Sequence, residues 1–291
     1  MSSTSFTNTS FSLAQGLGRT QEFLGRSISR LSSGNRILNP SDDPQAVGAT
    51  AKLDSQTRRN QAATNNVQNA ISHVQSADSL LSAMSTTLTR LSELATRAKD
   101  PMQSPADIAL YNEEFTTLLQ QLRDTVGGTT SQIGGTADVS DPSGVFNGRQ
   151  LFADGPGLRV SVGLESDQTL EIPASNLRTS AFAAIITQDA GGNFLLSVDD
   201  AAAVSSLKDA LDVVGSERAS LGGAQSRLVL LSQTLTVEGE NLSSAVSRIR
   251  DADVAKETTQ MTKLQLLTQT TTEMLTQTNQ SPRSVLRLLE S

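Results

Sequence analysis

Few side chains in this sequence are placed where they could do chemistry. His73 is the single histidine, and no serine and aspartate accompany it in an arrangement typical of nucleophilic catalysis. Asp42 and Asp43 are adjacent carboxylates, but the further oxygen ligands that Ca²⁺ requires at set spacing are absent. Helix capping is therefore the preferred interpretation of these two aspartates, and a solvated helix surface that of Glu113 and Glu114.

A glycine-rich stretch, GGTTSQIGG at 127–135, is the nearest approach to a phosphate-binding loop. It lacks the lysine and the spacing that such a loop needs to hold phosphate groups. We therefore predict no enzymatic activity, no cofactor and no bound metal.

Composition narrows the class of protein further. Aromatic residues make up only 3% of 291 residues, with no Trp, which favours an elongated helical protein with a thin core. The absence of Cys excludes disulfides and thiolate metal sites. The net charge of −7 argues against nucleic-acid binding, and without a run of about 18 apolar residues no membrane helix is expected.

Two long segments carry apolar residues at heptad spacing and predict the helices that form the framework of the protein. A helix is predicted from Pro44 to about Lys99, with Asp43 as its N-cap, and a second long helix begins near Asp200. Narrow apolar stripes of equal period pack well antiparallel. The stripes are Val67, Val74, Leu81, Leu88 and Ala95 with Ala70, Ala77, Met84, Leu91 and Ala98, and downstream Leu207, Val214, Leu221, Leu228, Leu235, Leu242 and Ile249.

Shorter elements lie between the two long helices. A third helix is expected over about 106–127, followed by a loop rich in Gly, Ser and Thr. The alternating runs LRVSVGL and QTLEIP predict a β-hairpin. Residues 178–200 show weak strand character around 194–198. The predicted fold is therefore mainly α, an elongated antiparallel helical bundle or coiled coil with a small β-hairpin element.

Weak helices are predicted at both ends of the chain, over about 6–38 and 254–289. Their apolar stripes are too thin to be covered by one partner helix, and identical subunits are the simplest source of further partners. The residues expected to make inter-subunit contacts are Phe6, Leu17, Leu24, Ile28, Leu31, Met261, Leu264, Leu267, Leu286 and Leu289.

Five segments together identify a family resemblance. SISRLSSGNRILNPSDDPQA, LTRLSELATRA, FNGRQLF followed by LRVSVG, SRIRDADVAKE, and LTQTNQSPRSVLRLL resemble bacterial flagellin, in the order of that family. The resemblance covers roughly 17–180 and 205–289. It implies a structural subunit that self-assembles into the helical flagellar filament used for motility.

The resemblance also implies an organisation and partners. Residues 1–40 with 255–291 would form an inner domain of terminal helices, and 41–254 an outer helical domain with the β-hairpin near 150–175 and a short connection at 178–200. Implied partners are further copies of the chain, flagellar hook-associated and cap proteins, and an export chaperone. The protein would be extracellular, in the flagellum, exported without a cleaved signal peptide.

Two alternatives remain open at this point. Where similar flagellins carry SA-DDAAG this chain has NPSDDPQAVG, a form more usual in the related hook–filament junction protein, whereas FNG and NQSPRSVLRLL favour flagellin. An alternative of another class is a chemoreceptor-like signalling coiled coil, which would not be interrupted by a β-hairpin.

Three positions match residues that contact a Toll-like innate immune receptor in many similar flagellins. They are Arg90, Leu94 and Glu114, although the residues around them differ from the family pattern. The competing interpretation is that these three side chains make ordinary contacts within or between subunits.

Overall fold

The computed structural model describes residues 2–135, 137–140, 142–152, 155–163 and 167–289, with side chains from 11 to 278 and at 280 in those ranges. Long helices dominate, and two antiparallel strand pairs lie between them, so the mainly α prediction is confirmed. The helices are α1 (Ser2–Ser33), α2 (Pro44–Ala98), α3 (Pro105–Val126), α4 (Thr130–Ile133), α5 (Ser180–Ile186), α6 (Ala203–Arg250) and α7 (Val254–Leu289). The strands are β1 (Val145–Phe146), β2 (Arg149–Gln150), β3 (Leu158–Ser161) and β4 (Thr169–Ile172).

The chain divides into two compact units. The terminal unit contains the residues up to Arg58 and those from Glu240 onward, and the central unit is Arg59–Gly239. The division at 40/41 and 254/255 that the family resemblance implies stays a prediction.

The central unit is built on an antiparallel pairing of α2 with α6. Arg218 of α6 donates to the Asp78 carboxylate of α2 at 2.8 Å, and Lys99 Nζ donates to the carbonyl of Ala201 at 3.1 Å. Every apolar heptad residue predicted on α2 is buried, as are those on α6 from Leu207 to Leu235. The seam is therefore the one that the heptads predict, because residues 3.5 apart on average stay on one face of both helices.

One buried arginine, Arg123, organises the short elements beside this seam. Arg123 is 2% exposed in α3. Its guanidinium donates to the carbonyls of Ile133 at the end of α4, of Gly134 and Ala137 beyond it, and of Ile186 at the end of α5. Helix C-termini leave carbonyls without helical partners, and the guanidinium supplies the missing donors. Burial lowers the pKa of Arg123, and the charge of the neighbouring Asp124 carboxylate opposes this shift.

The four strands form two antiparallel pairs, each made of strands that are consecutive in the chain. β3 pairs with β4 in the register Leu158↔Ile172 to Ser161↔Thr169, which confirms the predicted hairpin. β1 and β2 are joined by Asn147 and Gly148, with φ of 49° and 76°. Positive φ at both central residues is the geometry of a tight two-residue turn, and Asn-Gly is the sequence that tolerates it best.

Three local predictions were wrong. α1 ends at Ser33 rather than near residue 38, because Gly34 adopts φ 70° and its carbonyl accepts from Ala252 N. The predicted loop after α3 contains α4 and the pair β1–β2. Over 194–198 the only strand-like pairing is an isolated bridge between Phe194 and Gln188, and the Asp200 carboxylate accepts from the Ser197 amide and so removes a donor from any longer ladder.

We predict that Arg123→Met destabilises the central unit by at least about 3 kcal/mol, because several buried carbonyls lose their donor at once. Urea unfolding followed by circular dichroism measures the loss. Arg97→Met, on the exposed side of α2, is the matched control and should leave the midpoint unchanged. Equal midpoints for the two variants would contradict the role of Arg123.

Candidate functional site

The terminal helices α1 and α7 pack against each other along a narrow antiparallel seam. The two helices lie side by side, and Ser27 Oγ of α1 donates to the Glu257 carboxylate of α7 at 2.5 Å. Buried and half-buried positions recur at heptad spacing on both helices. They are Leu13, Leu17, Thr20, Leu24, Ser27 and Leu31 on α1, and Glu257, Met261, Leu264, Thr268, Thr271, Leu275 and Thr278 on α7.

The residues predicted to contact other subunits fall into two groups. Leu264 is 6% exposed in the α1–α7 seam, where Leu17, Leu24, Leu31 and Met261 are half-buried. Ile28 and Leu267 lie outside the seam, 48% and 44% exposed. The side chains of Phe6, Leu286 and Leu289 lie outside the described residues. The predicted stripe is thus partly covered within the chain and partly open.

Several exposed apolar side chains lie outside the set predicted to contact other subunits. Phe11, Phe23, Leu266 and Met274 are all more than half exposed on the α1–α7 pair. Leu266 is adjacent to Leu267, and consecutive helical residues are 100° apart, so two apolar faces should have been predicted there. We use the name outer faces for Phe11, Phe23, Ile28, Leu266, Leu267 and Met274.

A shallow groove on α7 runs between these outer-face leucines. It has a volume of about 490 Å³ and is lined by Leu266 and Leu267 together with Thr259, Thr262, Lys263 and Thr270. Among its described lining residues, Lys263 alone is charged, with its ammonium on a long aliphatic stem. Such a surface fits the apolar side chains of another helix.

Threonine hydroxyls on α7 are satisfied inside the helix. Thr262, Thr270 and Thr271 donate to the carbonyls four residues earlier, at 2.9, 2.5 and 2.7 Å. Six further threonines of α7 make equivalent bonds to carbonyls three or four residues earlier, namely Thr258, Thr259, Thr268, Thr272, Thr276 and Thr278. Covering such a helix with apolar side chains would leave these hydroxyl donors paired.

The segment that follows α1 and the segment that precedes α7 are bound to each other, and we call this contact the joint. Asn35 pairs with Asp251 in an antiparallel bridge, and the Arg36 guanidinium donates to the carbonyl of Ile249 near the C-terminus of α6. Asp43 caps α2 as predicted, accepting from Ala46 N at 3.0 Å. Asp42 accepts from Leu38 N and Asn39 N, and these backbone hydrogen bonds lower its pKa.

Arg90, Leu94 and Glu114 are brought together between α2 and α3. The Arg90 guanidinium makes a bidentate pair with the Glu114 carboxylate, at 2.7 and 3.0 Å, and this pairing lowers the pKa of Glu114. Leu94, one helical turn after Arg90, is 1% exposed. Receptor contact through these residues stays a prediction, and Leu94 could contribute only after local opening.

We next consider the residues that could have served in catalysis or metal binding. The His73 ring packs edge-on against Phe146, with centroids 5.6 Å apart. Over the described ranges, no three or more His, Cys, Asp or Glu side chains group closely enough to hold a metal ion. Across the same part of the chain, no helix combines the length and hydropathy needed to cross a membrane.

Comparison with known proteins matches both ends of the chain to one family. Residues 5–135 match the bacterial flagellin N-terminal helical region, and 204–289 match the bacterial flagellin C-terminal helical region. The flagellar filament 33 kDa core protein of Treponema phagedenis is 32% identical over 305 residues, covering 94% of each chain. Flagellin FlaB1 of Treponema pallidum is 29% identical over 295 residues, with 94% of each chain covered. Flagellin of Bacillus subtilis is 30% identical over 295 residues, covering 91% of this chain and 92% of that protein.

We predict that the two aspartates of the joint protect different amides. Asp42→Ala should speed hydrogen exchange of the Leu38 and Asn39 amides several-fold, since a capping bond is worth about 1 kcal/mol. Asp43→Ala is the matched control and should speed exchange at Ala46 instead. Loss of protection at the same amides in both variants would show that the joint simply unfolds, and would refute the assignment.

Proposed function

Because this chain belongs to the bacterial flagellin family and is a structural subunit of the flagellar filament, we propose that the outer faces of its α1–α7 pair are the surfaces through which copies assemble. The observation that carries the proposal is the exposure of large apolar side chains on a helix pair whose seam is already formed. Burying apolar surface stabilises by about 25 cal/mol per Å².

The side chains of the outer faces point in several directions, which favours contact with several neighbouring subunits rather than one. Phe23 and Ile28 flank the α1 seam on opposite sides, since they are five helical positions apart, while Phe11 points further away. Contacts on more than one side of a subunit build a polymer instead of a closed pair. A subunit with several such contacts is held by their sum, so each contact alone is weak.

The chemistry of the seam supports a coupling between folding and assembly. Ser and Thr side chains occupy much of the seam, where a stable two-helix pair would carry Leu or Ile. Gly16 and Gly18 weaken α1 by about 1 kcal/mol each relative to Ala. The α1–α7 pair is therefore marginal in a free monomer and is stabilised when neighbours cover its outer faces.

The family assignment favours the filament subunit over the alternatives. The chain matches flagellin family models at both ends and relatives that are flagellins or a filament core protein. The junction-like NPSDDP motif has a local use here, because Asp42 and Asp43 cap the joint and α2. The chemoreceptor-like alternative has no comparable support.

Further partners follow from the filament role as parts of the proposal. Hook-associated and cap proteins would contact the same outer faces at the ends of a filament, and an export chaperone would cover the C-terminal helix before assembly. The protein is a component of the flagellum. Export without a cleaved signal peptide, the absence of catalysis, and the absence of nucleic-acid and membrane partners stay predictions.

We predict that Leu267→Asp blocks polymer growth, because it places a carboxylate in an outer face from which water is excluded on assembly. The circular dichroism of the monomer should retain the signal of α2 and α6. Sedimentation and electron microscopy measure the polymer, and Leu267→Met, which keeps the apolar surface, is the matched control. Filaments of normal yield from the Asp variant would refute the role of this face.

We predict that amide hydrogens of α1 and α7 exchange fast in the free monomer and slowly in the polymer, by at least about a hundredfold, because the weak seam gains its stability from neighbours. Amides of α2 around Leu81 serve as an internal control and should be protected in both states. Strong protection of α1 and α7 before assembly would contradict the coupling.

A further inference from the structure

A second recess lies in the central unit, far from the outer faces in the sequence. It has a volume of about 410 Å³ and separates one face of α2 from the two hairpins. Val160 and Phe146 supply apolar walls, and His73 and Asn69 of α2 supply polar groups. We call this recess the His73 groove.

The groove carries positive charge without a described counter-charge. Arg149 lines it, and no carboxylate of the described residues makes an ion pair with Arg149, whereas Arg159 is 3.6 Å from Glu171. The His73 Nδ1 atom is buried without a hydrogen-bond partner. Burial and the Arg149 charge lower the pKa of His73, which keeps the imidazole neutral and leaves Arg149 as the groove's cation. An apolar group joined to a carboxylate fits these surroundings.

The turn between α2 and α3 exposes an apolar side chain next to a carboxylate. Met102 is 88% exposed, and the Asp100 carboxylate accepts from the Met102 amide at 3.0 Å, which fixes the two side by side. Asp199 and Asp200 add negative charge near the same end, since Lys99 donates to the carbonyl of Ala201. We call Asp100–Met102 the knob. A thioether also packs well at the edge of an aromatic ring such as Phe146.

A knob cannot reach the groove of its own chain. About 30 residues of α2 separate Ala70 in the groove from Asp100, and at 1.5 Å per residue this is about 45 Å along the helix. Contact between knob and groove would therefore join two copies. Because the two surfaces differ, the contact is head-to-tail and leaves a free knob and a free groove at the ends.

We propose that the knob of one copy enters the His73 groove of a second copy, so that the central units make a specific contact in addition to the apolar outer faces. The proposal rests on the filament assembly proposed above. Charge complementarity selects the occupant, because a cationic groove on a chain of net charge −7 favours an acidic surface, and the turn at Asp100 offers acid and exposed thioether together.

Crosslinking tests the contact without background, because the chain contains no cysteine. Asn69→Cys at the groove and Met102→Cys at the knob are made as separate variants and diluted together into wild-type protein, so that polymer forms in every sample. A short bis-maleimide should give covalent dimers containing one chain of each variant. Leu195→Cys, also exposed in the central unit, replaces the knob variant in the control and should give none.

The outcomes separate this contact from the assembly proposal. Polymer without Asn69–Met102 crosslinks overturns the contact and leaves assembly through the outer faces intact. Wild-type protein that never polymerises overturns both. As a second measurement, Arg149→Glu should raise the critical concentration for polymer growth at least about tenfold, while Arg227→Glu on the exposed face of α6 should not. Equal critical concentrations for these two variants would also overturn the contact.

Discussion

The uninterrupted seam between α2 and α6 is the contact on which the rest of the structure depends. Its side chains are mostly small, so the two helices pack through a thin core without large aromatic residues. Asn60 is the buried exception, and its carboxamide oxygen lies 3.0 Å from where a side-chain carbon at Gly239 would be. A buried amide facing a glycine admits one register best, which fixes how α2 and α6 pair within the central unit.

The α1–α7 seam has the same period and a different chemistry. Where α2 carries Leu81 and Leu88 at successive core positions, α7 carries Thr268 and Thr271 beside Leu264. The central seam therefore excludes water within one chain, while the terminal seam remains half polar and its outer faces stay apolar. Under the assembly proposed above, this division would give the subunit a part that folds alone and a part whose stability depends on neighbours.

The parts of the fold that could be predicted from the sequence are those with local or repeating residue patterns. The α2 and α6 seams, the Asp43 cap and the β3–β4 hairpin were found because each is a local or strictly repeating pattern. Arg123 was missed because its partners are carbonyls of distant short elements, and a backbone carbonyl leaves no trace in the sequence. The open faces of α1 and α7 were predicted only in part, since one stripe was assigned to helices that carry apolar residues on several faces.

The two candidate contacts obey different physical rules, and this matters for how a filament could grow. Apolar faces on α1 and α7 adhere strongly but select register poorly, because hydrophobic burial is non-directional. A charged groove and an acidic knob adhere weakly in water but reject a shifted neighbour, which would face like charges or an unpaired cation. Adhesion from the terminal unit and register from the central unit would together specify one lattice, whereas either alone would permit disordered association.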